Sequence, residues 1–188
     1  MSLLLHVFNT ATNAWEPATN DLINSVKAVG YQVGRSASFT RPADTTAYAA
    51  QDVVSNSTSS PVVLTFADCG RVNGGSGVIL SARHMKQGAT ATPNYRLHLY
   101  RVAPTAINDN AQFGLLFANQ DRRIGFIDFV HQTGGTGSDC SSALTPFVNL
   151  PFVCDAASDS LFGILTTTSG YTPVSAEQHF IELSVVQN

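Results

Sequence analysis

The sequence predicts an all-β protein: an antiparallel β-sandwich of jelly-roll or Greek-key type with an N-terminal hairpin or arm. Short apolar or alternating runs recur at 33–40, 62–66, 77–85, 95–101, 124–130, 161–168 and 179–186. Between them stand turn-forming clusters such as Thr92-Pro93-Asn94, Asn108-Asp109-Asn110, Gly134-Gly135-Thr136-Gly137 and Ser169-Gly170. Strand-length runs separated by turn chemistry indicate antiparallel sheets. The long connections suit crossings between two sheets better than a tight meander.

In chain order, residues 3–8 (LLLHVF) are apolar on both faces, 9–13 are turn-like, and AWEP follows. This predicts a hairpin or arm within residues 1–30, with Trp15 as its largest apolar body and Pro17 as its stop. The sandwich domain is expected over 31–188. Residues 20–29 read two ways. Leu22, Ile23, Val26 and Val29 share a helical face between a capping Asn20 and a terminating Gly30, yet the β-branched content suits a strand equally.

The stretch FTRPADTTAYAAQDVV, residues 39–54, has no nucleophile paired with a base and no metal spacing. It reads as a structural corner. Pro42 lacks a ladder donor and ends the preceding strand. Asp44 caps a short turn over Thr45-Thr46. Tyr48 buries its ring while its hydroxyl finds a partner, and Asp52-Val53-Val54 opens the next strand. Alternation is clear farther on. Leu97 and Leu99 oppose Arg96, His98 and Tyr100, and Ile181, Leu183 and Val185 oppose Phe180, Glu182 and Ser184.

The chain has 188 residues, enough for one domain that buries roughly 70% of its unfolded surface. Only 12% of residues are charged, against about 25% in an average soluble protein. Serine and threonine number 36 and lysine only two. Hydroxyls, amides and glycine must therefore cover the surface, as suits a protein that works against neighbours. The net charge is −3 and Arg122-Arg123 is the only adjacent basic pair, so no cationic groove for nucleic acid is expected. No apolar run has the length of a membrane span. The opening MSLLLHVFN has no basic leader, which predicts cytosolic synthesis. Cys69, Cys140 and Cys154 form no CxxC pair and are expected to be reduced thiols. The sequon Asn56-Ser57-Thr58 has no meaning without secretion.

Chemical signals are sparse. The histidines are His6, His84, His98, His131 and His179. His84 and His98 are expected to neighbour each other across two strands, without the third ligand a metal needs. The loops 108–110 and 155–159 offer too few oxygens for calcium. Gly134-Gly135-Thr136-Gly137-Ser138 lacks the lysine of a phosphate loop. Glu177 and Glu182 flank His179, but Glu182 and His179 face opposite sides of a strand. No Gly-x-Ser-x-Gly elbow is present. No catalytic, cofactor-binding or metal-ligating residue is assigned, and no cofactor is expected. The candidate subunit-interface residues are Leu3, Leu4, Leu5, Val7, Phe8 and Trp15. An apolar edge at a terminus must be covered, by its own sandwich or by a neighbour through strand addition or an exchanged arm.

The block RSASFTRPADTTAYAAQDVV resembles one in virion structural proteins of tailed bacteriophages, where a strand leads into a TRPxDTTxYxxGDVV corner. SGVILSARHMKQG, YRLHLYRVAPTAINDNAQF and LFGILTTTSGYTPVSAEQHFIELSVV fit the same pattern in order, over about residues 31–188. LHVFNTATNAWEPAT is similar to openings of phage head and fibre proteins. The resemblance implies a non-enzymatic virion component, a capsid decoration (cement) protein on the outer capsid surface. It would be made in the host cytoplasm and clamp subunits of the major capsid protein. It would self-associate as a dimer or trimer, with no direct nucleic-acid or membrane partner. Two departures stand out. Gln51 replaces a usual glycine, which implies a less open corner backbone, and the insert around 134–154 matches nothing in the pattern. The alternatives are a tail or fibre component, including a glycan-binding receptor head using Tyr31, Tyr95, Tyr100 and Tyr171, and a small polysaccharide hydrolase. The latter needs paired carboxylates that the sequence does not reveal.

Overall fold

Two antiparallel sheets pack face to face in the computed structural model, which describes residues 6–9, 14–17, 31–88, 92–133 and 137–188. The expected hairpin is present: β1 (His6–Asn9) pairs with β2 (Ala14–Pro17), with Phe8 opposite Trp15. Of the interface candidates, Val7, Phe8 and Trp15 lie on this hairpin, whereas Leu3, Leu4 and Leu5 lie outside the described residues. So does the ambiguous segment 20–29.

The first sheet runs β3 (Tyr31–Thr40), β13 (Gln178–Gln187), β6 (Ser76–Gln87), β10 (Cys140–Thr145) and β9 (Gln132–Thr133). β11 (Leu150–Val153) pairs with the first part of β6 and β10 with the last part, so the two divide one edge of that strand. The second sheet runs β4 (Val53–Val54), β12 (Leu161–Thr167), β7 (Tyr95–Tyr100) and β8 (Arg123–Phe129), with β5 (Leu64–Phe66) beside β4 on β12. The chain changes sheets after β3, β5, β6, β8, β11 and β12, so Greek-key crossings stitch the layers together. A short 3-10 helix, Phe117–Arg122, leads into β8.

Every strand run expected from the sequence is found, with shifted ends. The unmatched insert is the main addition. It supplies β10 and β11, which complete the first sheet, because Ala143 and Phe152 alternate inward there.

Alternation sets the inner faces. Leu97, Leu99, Phe66, Phe129, Leu161, Leu165, Ile79, Ile181 and Leu183 fill the space between the sheets and are essentially inaccessible. Burying each such side chain contributes about 1.5–3 kcal/mol. β6 departs from strict alternation. A bulge falls where Ser184 pairs with Ser81 but Val185 pairs with Ile79, leaving Leu80 as the extra residue. Gly77 and Ile79 face inward before it, and Ala82, His84 and Lys86 after it. A second, smaller cluster lies on the far side of the second sheet. There Val53, Tyr100 and Ile164 are covered by Ile107, Phe113 and Leu115 of the long 101–116 loop.

Candidate functional site

Two polar networks are buried inside the sandwich, and both grow from the motifs singled out in the sequence. The first is the corner after β3. Pro42 follows the end of that strand, and Asp44 Oδ1 accepts a 3.0 Å bond from Thr46 N–H, the expected capped turn. Tyr48 is 3% exposed and stacks on Tyr171. Its hydroxyl donates 2.6 Å to Asp109 Oδ1. Arg41, whose side chain is fully buried, places Nη2 2.9 Å from Asp109 Oδ2, and its Nε bonds the Tyr48 hydroxyl. Ser55 N–H donates 2.8 Å to the same carboxylate. Asp109 therefore receives an ion pair, a phenol and an amide, although it belongs to a loop that looked like ordinary turn chemistry. Nothing local to 108–110 signals that role, because its partners lie more than fifty residues away.

Asp52 Oδ2 accepts 2.6 Å from Ala49 N–H and closes the corner. The expectation of a less open backbone at Gln51 is corrected: its φ is +71°, the left-handed conformation that glycine favours. Its own N–H donates to Thr167 O and its carbonyl accepts from Phe113 N–H, which holds it there. A non-glycine residue in this region costs about 1–2 kcal/mol. Gln51→Gly is accordingly expected to raise stability by about 1 kcal/mol after the entropy of the unfolded glycine is counted. A urea midpoint that falls with an unchanged slope would show that the left-handed strain is not there to relieve.

The second network is a column of histidines along the inner face of the first sheet. Ser141 Oγ lies 2.9 Å from His131 Nδ1, and His131 Nε2 lies 2.9 Å from His84 Nδ1. His84 Nε2 lies 3.0 Å from His179 Nδ1, and His179 Nε2 stands 3.1 Å from Glu177 Oε1. That last contact is close but bent, without straight hydrogen-bond geometry. Glu177 Oε2 pairs with Lys86 Nζ at 3.0 Å, and Tyr171 donates 2.9 Å to Oε1. Lys86 also donates to the carbonyls of Gln87 and Gly88. Phe39 stacks on His179, and the edge of Tyr95 meets His84.

Burial would raise the pKa of Glu177, but His179 and Lys86 outweigh it and hold it down to about 2. The ionised carboxylate sets the polarity of the column. His179 must turn its N–H toward it, so each imidazole carries its proton on Nε2 and accepts on Nδ1, and Ser141 donates at the far end. Burial, followed by the neighbouring histidines and Lys86, drives His84 well below the usual range. Burial does the same to His131, down to about 4, with Lys86 and His179 adding to it. His179 is lowered by burial against the pull of Glu177. All three are neutral near pH 7.

The Ser141–His131 pair looks superficially like an activated nucleophile. Ser141 is 1% exposed, however, and the other nitrogen of His131 meets His84 instead of a carboxylate. The two ring nitrogens of His84 face different partners, so the three rings do not converge on one point, and no metal-binding group occurs among the described residues.

The expected His84–His98 neighbourhood is not found. His98 faces the other side of the second sheet, stacks on Phe113 at 4.1 Å and contacts Arg123. Glu182 and His179 face apart, as expected. The carboxylate that meets His179 is the other flanking one, Glu177, two residues earlier and equally buried. Of the four tyrosines considered for glycan stacking, Tyr95 and Tyr100 are buried, Tyr171 packs on Tyr48, and only Tyr31 is well exposed. The loop 155–159 is a turn in which Asp155 Oδ1 accepts from Ala157 N–H. The three cysteines are free, with Cys69 and Cys154 buried and Cys140 exposed. An open depression of about 700 Å3 is lined by Ser38, Thr40, Met85, Gln87, Cys140, Gln178, His179 and Phe180, among others. Lys86 also borders it, but its ammonium group is already engaged with Glu177.

No protein-family model matches the chain, and no curated protein matches it. Among solved structures, modules of an endo-1,4-β-D-xylanase of Clostridium thermocellum complexed with xylohexaose are similar at 14% identity and a TM-score of 0.31, over 82% of this chain. The chain spans only 26% of that xylanase structure. Black queen cell virus is similar at 11% identity and a TM-score of 0.25, over 100% of this chain and 83% of the viral one. Triatoma virus follows at 12% identity and a TM-score of 0.24, over 82% of this chain and 61% of the other. These are loose likenesses, and β-sandwiches host many unrelated functions.

Proposed function

We propose that this protein is a non-enzymatic structural component of a virion, a capsid decoration (cement) protein that lies on the outer face of a phage head and bridges major capsid protein subunits. The observation that carries the reading is what the corner block does. Arg41, Asp44, Tyr48 and Asp52, four polar residues of the stretch that resembles the tailed-phage pattern, are all engaged in building the corner. A signature made of internal braces fits a load-bearing tile. The outer face of the first sheet supports the same reading, with the small residues Gly34, Ser36, Ser38, Ser142 and Ser184 around one Arg83–Glu182 ion pair. Such a face suits close, flat contact with a neighbour.

Many sites burying about 1,000 Å2 each resist shell expansion together through avidity, and self-association as a dimer or trimer multiplies them. Two measurements test this. Imaging of particles should place the protein on the head at a copy number set by the head lattice; a location and copy number typical of a tail would reject decoration. Removal of residues 1–17 should weaken attachment to purified shells about tenfold or more, equivalent to at least ~1.4 kcal/mol, while the sandwich melts normally. Equal binding by the truncated chain would remove the hairpin from the interface.

A further inference from the structure

We propose that the Ser141–His131–His84–His179 column is an acid-operated latch that holds the β8–β9 crossover against the first sheet and releases it when the column takes up protons. The argument begins with the anchoring of that crossover. The chain leaves β8 in the second sheet at Phe129 and enters β9 in the first sheet at Gln132. Val130, Gln132 and Thr133 are exposed, and His131 alone between them is buried. β9 has two residues, lies at the sheet edge and pairs only with Ser141 and Ser142. Both ring nitrogens of His131 are used, one on Ser141 of β10 and one on His84 of β6. Apart from that short ladder, one imidazole fastens the crossover.

The column has a defined capacity for protons. With Glu177 ionised, every bridge contains a single hydrogen. One added proton can be absorbed without breaking a bridge. Ser141 turns to accept, His131 and His84 shift their protons to Nδ1, and the charge settles on His179 beside Glu177. A second proton has no such arrangement. Two imidazoliums would then share the column, with no remaining carboxylate to face. The groups packed against it from the other elements oppose the charge or ignore it. Lys86 of β6 already pairs with Glu177, and Arg41 adds a further positive charge. Tyr95 of β7, Tyr171 and Phe39 of β3 present rings, and Phe129 of β8 is apolar. The cheapest relief is for His131 to leave, since it is the most accessible of the three rings, 5% exposed against 0% for His84 and 2% for His179, and carries only exposed neighbours with it. In solvent it titrates normally near pH 6.5, so opening is favoured as pH falls below that value. This inference does not depend on the virion reading.

Hydrogen exchange followed by mass spectrometry on the full chain tests it, at pH 7.5, 6.5 and 5.5 with rates corrected for intrinsic pH dependence. Peptides covering 130–142 should lose protection by about tenfold per pH unit below pH 6.5 for each histidine released and stay far less protected than peptides covering 95–100 and 161–167, which open only with the whole domain. His131→Gln retains an amide that can bond Ser141 and His84 but does not titrate, so it should flatten that dependence. Ser141→Ala removes one bond yet leaves the imidazole, so it should raise exchange at every pH and keep the slope. Protection at 130–142 equal to that at 95–100 and 161–167 at every pH, unchanged exchange at 130–142, or a full slope in His131→Gln would each overturn the latch. Should His131→Gln fail to fold, the localisation in the native chain and the retained slope in Ser141→Ala still decide the matter.

Discussion

Acid will unfold this protein steeply, with most of its stability lost between about pH 6.5 and pH 4. Four histidines, His84, His98, His131 and His179, are buried and neutral, and each is lowered from its ordinary value. His98 and His131 fall to about 4. The unfolded chain binds protons at these sites near pH 6.5, whereas the folded chain does not. Their contribution is therefore complete above pH 6.5 and drains away as pH falls toward the folded values. Each titrating histidine changes stability by at most about 1.4 kcal/mol per pH unit, so four together reach about 5 kcal/mol per pH unit. Against a typical domain stability of about 5–15 kcal/mol, that is enough to unfold the sandwich before pH 4. Glu177 acts in the same direction but in a lower window, because its stabilisation is lost only as pH falls from about 4.5 toward about 2. Urea unfolding at half-unit pH steps measures the slope directly. A midpoint that stays flat from pH 7 to pH 4.5 would mean that these rings are solvated or already charged.

Replacing Asp109 is expected to be the most damaging single change in the corner. Asp109→Ala leaves the buried Arg41 guanidinium with only the part-exposed Asp44 carboxylate, 3.5 Å away, and strips Tyr48 and Ser55 of their acceptor, whereas Asp109→Asn keeps an acceptor oxygen and removes only the charge. Breaking a buried pair from one side costs about 3–5 kcal/mol. The double variant Arg41→Met with Asp109→Leu removes both charges and should recover much of the loss, because an apolar pair of similar volume is often tolerated there. Equilibrium unfolding of both singles and the double, at pH 7.5, yields the coupling. A single variant that loses under 1 kcal/mol, or a double that is merely the sum of its parts, would show that the corner does not depend on this pair.

The architecture was readable because its signals are local. The stop at Thr40-Arg41-Pro42, the Asp44 turn, the burial of Tyr48 and the inward rows on β7 and β13 all follow from neighbours within a few positions. The histidine column was not readable, and β6 explains why. Counting by twos from Ile79 would turn His84 and Lys86 outward. The extra residue at Leu80 reverses the phase, and both point inward. The bulge has no glycine or proline of its own to announce it. β10 escaped notice because its alternation is short and rich in serine, and β11 because it is four residues long and carries Pro151, so that only contact with β6 makes them strands.

By itself the chain determined its class, the approximate place of its main strands and its principal corner, since strand period and turn preference are properties of consecutive residues. Which polar groups meet was decided only in three dimensions. Asp109 reaches Arg41, and His131 reaches His84, through sheet register and loop crossings that no short stretch encodes. An isolated aspartate or histidine carries the same chemistry wherever it stands. Burial, and the company that burial imposes, turned these into braces and a proton-sensitive seam.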